Sequence, residues 1–224
     1  MPTPPLPSQP IPTPKIMLEG THLTWKTDIA FALAEHPRII GHREHRWHIP
    51  LISSEWETIS EAPPTKGDPG HSAIDFAPHE EAWAMDAYHT WMRLLELHRD
   101  HYWIVDRFHI STRSYQLTHA HRDYAFDWLE KRLLALDFRL VHCVRAPETF
   151  PAAREARLQY SENSHRYDDL DIFIEEQEQI RRLVALSKIP SLEVDTSDND
   201  VDRAANEILD WVESTGAFWP ARRW

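Results

Sequence analysis

At 224 residues and a net charge of −12, the chain has the size of one α/β domain with a respectable core, and it lacks the positive surface that general nucleic-acid or anionic-membrane binding demands. Its only cysteine, Cys143, lies in the apolar run Phe138–Val144, so no disulfide can close within the chain, and a buried strand residue in a reducing, cytoplasmic protein is expected. No apolar run is long enough to span a bilayer, and the proline-rich start is unlike a secretory signal.

Residues 1–14 hold seven of the seventeen prolines and no charge. This composition predicts an extended, disordered leader, with a proline-recognition ligand as the other reading. The domain proper is expected over 15–216, with 217–224 as a tail holding two tryptophans and two arginines.

Lys15–Ala34 then reads as a short buried strand (Ile16, Met17, Leu18), a tight turn and a helix. The turn is Gly20-Thr21-His22-Leu23-Thr24-Trp25-Lys26-Thr27. It has the length and both ends of a phosphate-binding P-loop, G-x-x-x-x-G-K-[ST], with Trp25 in place of the second glycine. Gly20 lets the chain leave the strand through a conformation that a Cβ forbids. The amides that follow point at a helix N-terminus, where unpaired N–H groups and the dipole favour an anion. Lys26 adds charge for terminal phosphates, and the Thr27 hydroxyl can hold Mg²⁺. Trp25 has to turn its indole aside. Turned outward it leaves the cradle usable and can stack on an adenine or pack on a lid; turned inward it fills the phosphate pocket. The outward rotamer is the expectation.

Beyond Pro37, Arg38–Gly41 reads as a second short strand. His42-Arg43-Glu-His-Arg-Trp-His48 and Ile49–Trp56 follow as a charged, aromatic stretch beyond a strand end, the edge where open α/β sheets place ligands. The spacing of His42, His45 and His48 fits no standard zinc pattern. Substrate contact by His42, Arg43, His48, Glu55 and Trp56 is expected, a solvated loop being the plain alternative. Residues 57–78 carry four prolines, Gly67 and Gly70 and read as a long loop. A helix with an apolar stripe follows from about Pro78 to His98.

His101–Asp106 is the next strand, aromatic and β-branched, and it ends in an Asp-Arg pair. An aspartate at the carboxyl end of a central strand can face Mg²⁺ held by Thr27 or accept a proton from an attacking hydroxyl. Arg107 can clamp a phosphate. The bland reading is an ion pair that fixes the strand end. Arg113 is placed across the acceptor cleft with these two.

A helix over Arg122–Leu136 leads into the strand Phe138–Val144. Glu148–Arg157 is helical, with Arg154 and Arg157 on one face, free to close over phosphates or to pair with nearby glutamates. A long helix from Asp168, a strand at Ser191–Asp195 and a helix capped by Ser197 or Asp198 and stopped at Gly216 complete the pattern. Strands alternating with helices describe an α/β fold, a parallel sheet covered on both faces.

Taken together, LEGTHLTWKT, VDRFHIST, APETFPAAREAR and LEVDTSD, in that order and spacing, resemble the thymidylate kinase and deoxynucleoside kinase group of P-loop phosphotransferases over roughly residues 15 to 214. The resemblance implies a five-stranded parallel sheet and an ATP donor with Mg²⁺. It implies Gly20–Thr27, Arg154 and Arg157 around the donor, the latter two as lid arginines. It also implies Lys26, Asp106 and Arg107 at the reacting centre, Thr27 and Asp106 on the metal, and a nucleoside-like acceptor. The chain departs from the group at Trp25 and in lacking the acidic acceptor motif after the second strand. Two functions stay open: a small-molecule kinase, and a non-catalytic P-loop scaffold binding a nucleotide or another anion. A homodimer is compatible with either.

Overall fold

The computed structural model describes residues 13–40, 50–55, 59, 70–160 and 164–217. Five parallel strands form one sheet in the order β2-β3-β1-β4-β5: β1 Lys15–Glu19, β2 Leu51–Ser53, β3 Trp103–Asp106, β4 Arg139–Val144 and β5 Ser191–Asp195. Side chains alternate across it, as strand geometry requires. Met17, Trp103, Val105 and Leu140 enter one core with α3 (Glu81–Leu97), α4 (His109–His119), α5 (Asp127–Ala135) and α7 (Asp171–Leu186). Ile16, Leu18, Ile104, Val141, Cys143 and Val194 enter a second with α1 (Lys26–Ala34), α2 (Pro37–Ile40) and α8 (Val201–Ser214). The expected sheet with helices on both faces is the observed architecture. Cys143 is fully buried and its thiol is pushed up to about 12 by burial. No helix among the described residues is long and apolar enough to cross a membrane.

β1 lies at the centre, paired with β3 through Leu18–Asp106 and with β4 through Leu18–Val141. The chain builds one side of the sheet with β2 and β3, then passes β1 to build the other. Such a switch point leaves a crevice at the carboxyl ends of the strands. Gly20, Glu55 and Arg145 follow strand ends on that edge, and Asp106 closes β3 there.

Four sequence expectations are corrected. Arg38–Ile40, read with Gly41 as a strand, do not form one. Pro37–Ile40 turn as the short helix α2, with Ile39 and Ile40 amides donating to the His36 carbonyl and Arg38 paired to Asp210 and Glu213 of α8. The outer strand is instead Leu51–Ser53, read as part of a charged loop. The helix read from Arg122 starts only at Asp127, because His121 is left-handed (φ 53) and the Arg122 amide closes back on the Gln116 carbonyl to end α4. The cap of α8 is Asp200, whose carboxylate accepts the Arg203 amide at 2.8 Å.

α4 itself has no apolar stripe to announce it. Its inward face is polar: Ser111, Thr112, Ser114 and Gln116 are buried, and Thr112 and Gln116 donate to the carbonyls of Ala73, Ile74 and Phe76. The helix is held at its N-terminus by Glu19 from the end of β1. That buried carboxylate accepts the amides of Phe108, Ile110 and Ser111 at 3.0–3.2 Å and the Ser111 hydroxyl at 2.5 Å. Four donors on one carboxylate fix the angle at which α4 leaves β3. Burial raises the Glu19 carboxyl above the usual range, a push that His109, Ser111 and Phe108 oppose. Glu19→Ala should leave three buried amides unpaired and cost about 3 kcal/mol or more in urea unfolding. A loss below about 1 kcal/mol would show that Glu19 does not hold the helix.

Candidate phosphate-binding cleft

Gly20 leaves β1 at φ 155, a conformation disfavoured for any residue with a Cβ. The position has a second constraint: a Cβ there would lie 2.6 Å from the Cys143 carbonyl oxygen of β4. Only glycine lets the loop pass under the neighbouring strand. The loop then turns on itself, with the Thr24 hydroxyl and the Lys26 ammonium both donating to the Thr21 carbonyl, at 2.8 and 3.2 Å. Leu23 and Trp25 are left-handed, at φ 66 and 54. Trp25 therefore adopts the backbone that a glycine would adopt freely, at a cost of about 1–2 kcal/mol for an L residue. Its indole turns outward, and Nε1 donates to Asn199 Oδ1 at 2.6 Å.

Lys26 opens α1 and is 6% exposed. Burial and then Arg107 lower its pKa, with Asp106, Glu55 and Glu176 opposing. Next to it the Thr27 hydroxyl donates to Asp106 Oδ2 at 2.6 Å. The other Asp106 oxygen is buried with no hydrogen-bond partner among the described residues. Burial raises the Asp106 carboxyl, while Lys26 and Thr27 pull it down. A threonine hydroxyl beside an unspent carboxylate oxygen is the donor set that Mg²⁺ takes when phosphate and water supply the rest. Among the described residues no group of three or more His, Cys, Asp or Glu side chains could hold a metal alone. Thr27 and Asp106 thus fit Mg²⁺ only together with a phosphate ligand.

Arg107 is left-handed (φ 58) and 3% exposed, and its guanidinium lies between two carboxylates. Nε is 3.2 Å from Glu55, and Nη1 is 3.6 Å from Glu176 on α7. Burial would lower its pKa, and Glu55, Glu176 and Asp106 more than reverse that. Glu55 is itself held below the usual carboxylate range, against burial, by Arg107, Lys26 and Arg166. Glu176 also accepts the Thr21 hydroxyl.

A cleft of about 370 Å³ opens over the loop, lined by His22, Leu23, Trp25, Lys26, Thr27 and Asp28, by Glu55, and by Ala153, Arg157, Arg166 and Tyr167. Its far wall is α6 (Phe150–Leu158), the single turn Ser164–Tyr167 and the start of α7, packed as Phe150, Tyr167 and Phe173 with Leu23. His22 meets Phe173 edge-on at 5.5 Å, and its Nε2 accepts Arg166 Nη2 at 3.0 Å. Burial, then Arg107, Lys26, Arg166 and Arg157, hold its imidazole well below the usual histidine range. Lys26, Arg157 and Arg166 thus line the cleft beside Glu55 and Asp28, and such a gathering of cations on an acidic protein suits an anion.

Of the residues expected at the site, the structure brings together Gly20–Thr27, Glu55, Asp106, Arg107 and Arg157. It does not bring Arg154 or Arg113 into the cleft. Arg154 is turned away by bonds to the Tyr167 carbonyl, Asp168 and Glu155, which leaves Ala153 and Arg157 as the α6 residues on the cleft. Arg113 is bidentate to Asp123 on a separate cleft of about 140 Å³. His42, Arg43, His48 and Trp56 lie outside the described residues. Sequence reasoning missed Arg166, Glu176 and Asn199. Each acts across more than 100 residues of chain, on His22, Thr21 and Trp25, and no local pattern marks such contacts.

No family model matches the sequence, and no curated protein does. Solved structures do. The YorR protein of Bacillus subtilis, in complex with phosphorylated GDP, aligns with a TM-score of 0.58 at 14% identity over 89% of this chain and 96% of its own. A deoxyadenosine kinase from M. mycoides with bound dCTP aligns at 0.45, also at 14% identity, over 89% and 99%. At such identity the likeness to YorR speaks for the fold, and the three-layer, P-loop kinase-like fold expected from the sequence is the fold of this chain.

Proposed function

We propose that the chain is a cytoplasmic phosphotransferase that moves the γ-phosphoryl group of ATP, with Mg²⁺, to a hydroxyl or phosphate on a small, nucleoside-like acceptor. The observation that carries this reading is the Thr27–Asp106 bond beside the buried Lys26, with one Asp106 oxygen unspent. The phosphorylated GDP held by YorR, a protein of similar fold, supports a nucleotide in the cleft.

Phosphoryl transfer asks little covalent work of a protein; positioning and charge neutralisation carry it. Lys26 and the loop amides hold the donor phosphates. Thr27 and Asp106 would hold Mg²⁺, which would supply positive charge against the charge developing on the donor phosphates. Arg107 and Arg157 add positive charge around the transferred group, and Arg157 has no ion-pair partner among the described residues. Asp106, tied to Thr27, takes the metal side, which leaves Glu55 as the carboxylate facing the acceptor. Substrate contact by His42, Arg43, His48 and Trp56 on the acceptor side is part of the same proposal. Arg154, clamped by Tyr167 and Asp168, steadies the wall that carries Arg157.

Against the scaffold alternative stands the outward indole, which leaves Lys26 and Thr27 on the cleft wall. Calorimetry with ATP, with and without Mg²⁺, separates the two readings. Lys26→Ala should weaken ATP binding more than tenfold, since a hydrogen bond to a charged group is worth about 1.5–3 kcal/mol. Asp106→Asn should remove the gain in affinity that Mg²⁺ brings. Unchanged affinity in the lysine variant, or no binding by the parent, would leave only the scaffold.

His22 reports its burial first and then the cations around it, independently of any ligand. Its native pKa is depressed, whereas the unfolded chain titrates at about 6.5. As pH falls below that value, the unfolded state binds a proton that the native state refuses, and stability declines until the native pKa is passed. His22→Gln should flatten this part of the stability–pH curve relative to the parent. Inorganic pyrophosphate should raise the His22 pKa in ring NMR titrations; a titration unmoved by pyrophosphate would argue against an anion in the cleft.

A further inference from the structure

We propose that Trp25 is the stacking platform for the base of the donor nucleotide. The proposal rests on the phosphate site described above and adds the part of the ligand that this site does not read. The indole lines the same cleft as Lys26 and Thr27, one residue along the chain from the phosphate-binding lysine. Its edge is fixed: Nε1 donates to Asn199 Oδ1 at 2.6 Å, and the same oxygen accepts Arg145 Nη2 at 2.5 Å. Arg145 is buried and donates in turn to the carbonyls of Thr149 and Thr196. Asn199 has both lone-pair directions occupied by donors, so the plane of the indole is set by the β4 and β5 ends.

The ring packs in part against the core of α1 and α8, but no other ring or cation among the described residues is stacked on it. Trp91 meets Tyr88 and Phe108, and Trp128 stacks on His89. Trp25 has no ring partner and no cation over its face among the described residues. A flat apolar surface held at a fixed angle in a cationic cleft suits a ligand with anionic groups at one end and an aromatic ring at the other. A nucleoside triphosphate has that form. Stacking on an aromatic side chain is tolerant of base identity, because every base has a π-face. Adenine and guanine donors are therefore both accepted.

The test compares Mg²⁺ complexes of ATP, GTP and inorganic tripolyphosphate binding to the full chain by calorimetry. In the parent, ATP and GTP should bind at least about tenfold tighter than tripolyphosphate, the size of effect that base stacking gives. Trp25→Phe, which keeps a ring, should retain most of that preference. Trp25→Leu should bring the three ligands together. Asn199→Ala, which frees the edge of the ring, should lower the preference at least about threefold and covers the case in which the leucine variant does not fold. A parent that binds ATP and tripolyphosphate alike, or a preference unmoved in both Trp25→Leu and Asn199→Ala, overturns the platform and leaves the phosphate site standing. A parent that binds none of the three, tripolyphosphate included, removes both.

Discussion

The site depends on one close approach. β1 ends beneath the carbonyl of Cys143, and the chain can continue only through a residue without a Cβ. Everything that follows Gly20 inherits its position from that passage: the Thr21 carbonyl that gathers Thr24 and Lys26, the left-handed Trp25, and the N-terminus of α1. Because β1 is the central strand, the same passage puts the loop between the ends of β3 and β4. Asp106 and Arg107 then arrive from one side and Arg145 from the other. The parallel sheet thus gathers side chains from distant parts of the sequence, and Gly20 sets the depth at which they meet.

Charge at this edge runs against the protein as a whole. A chain of net charge −12 keeps Lys26, Arg107, Arg157 and Arg166 around one cleft. Two of them are balanced by carboxylates in the present arrangement, Arg107 by Glu55 and Glu176 and Arg166 by Glu55. Burying a guanidinium without such partners costs several kcal/mol. The carboxylates hold Arg107 in place, and an anion bound as proposed would have to compete with them for it.

Much of this was legible in the sequence, and the limits have physical reasons. The strand–loop–helix of β1 and α1, the Asp-Arg at the end of β3 and the amphipathic α3, α7 and α8 are local patterns, and local patterns survive translation into structure. α4 was not legible, because beside Ile110 its buried face is polar and bonds to the carbonyls of Ala73, Ile74 and Phe76 through Thr112 and Gln116. Arg38–Ile40 misled for the opposite reason: two β-branched residues beside a proline look like a strand, and tertiary ion pairs to α8 make them a helical turn. In the site, Lys26, Thr27, Asp106 and Arg107 were visible by motif, while Glu19, Arg166, Glu176 and Asn199 act only through contacts across the fold.

Trp25 shows how a departure from a motif is absorbed. Glycine at this place is a conformational requirement, and the backbone still meets it, at φ 54. The cost of a left-handed tryptophan is of the same order as a hydrogen bond together with burial of part of an indole. Both are present: Nε1 on Asn199, and the ring packed against the core of α1 and α8. Asn199 is itself left-handed, at φ 59, a conformation that asparagine tolerates better than most residues. The two unusual residues meet side chain to side chain, 174 positions apart, and each fixes the other's loop. A left-handed tryptophan in the loop is thus held by one amide oxygen at the exit of β5.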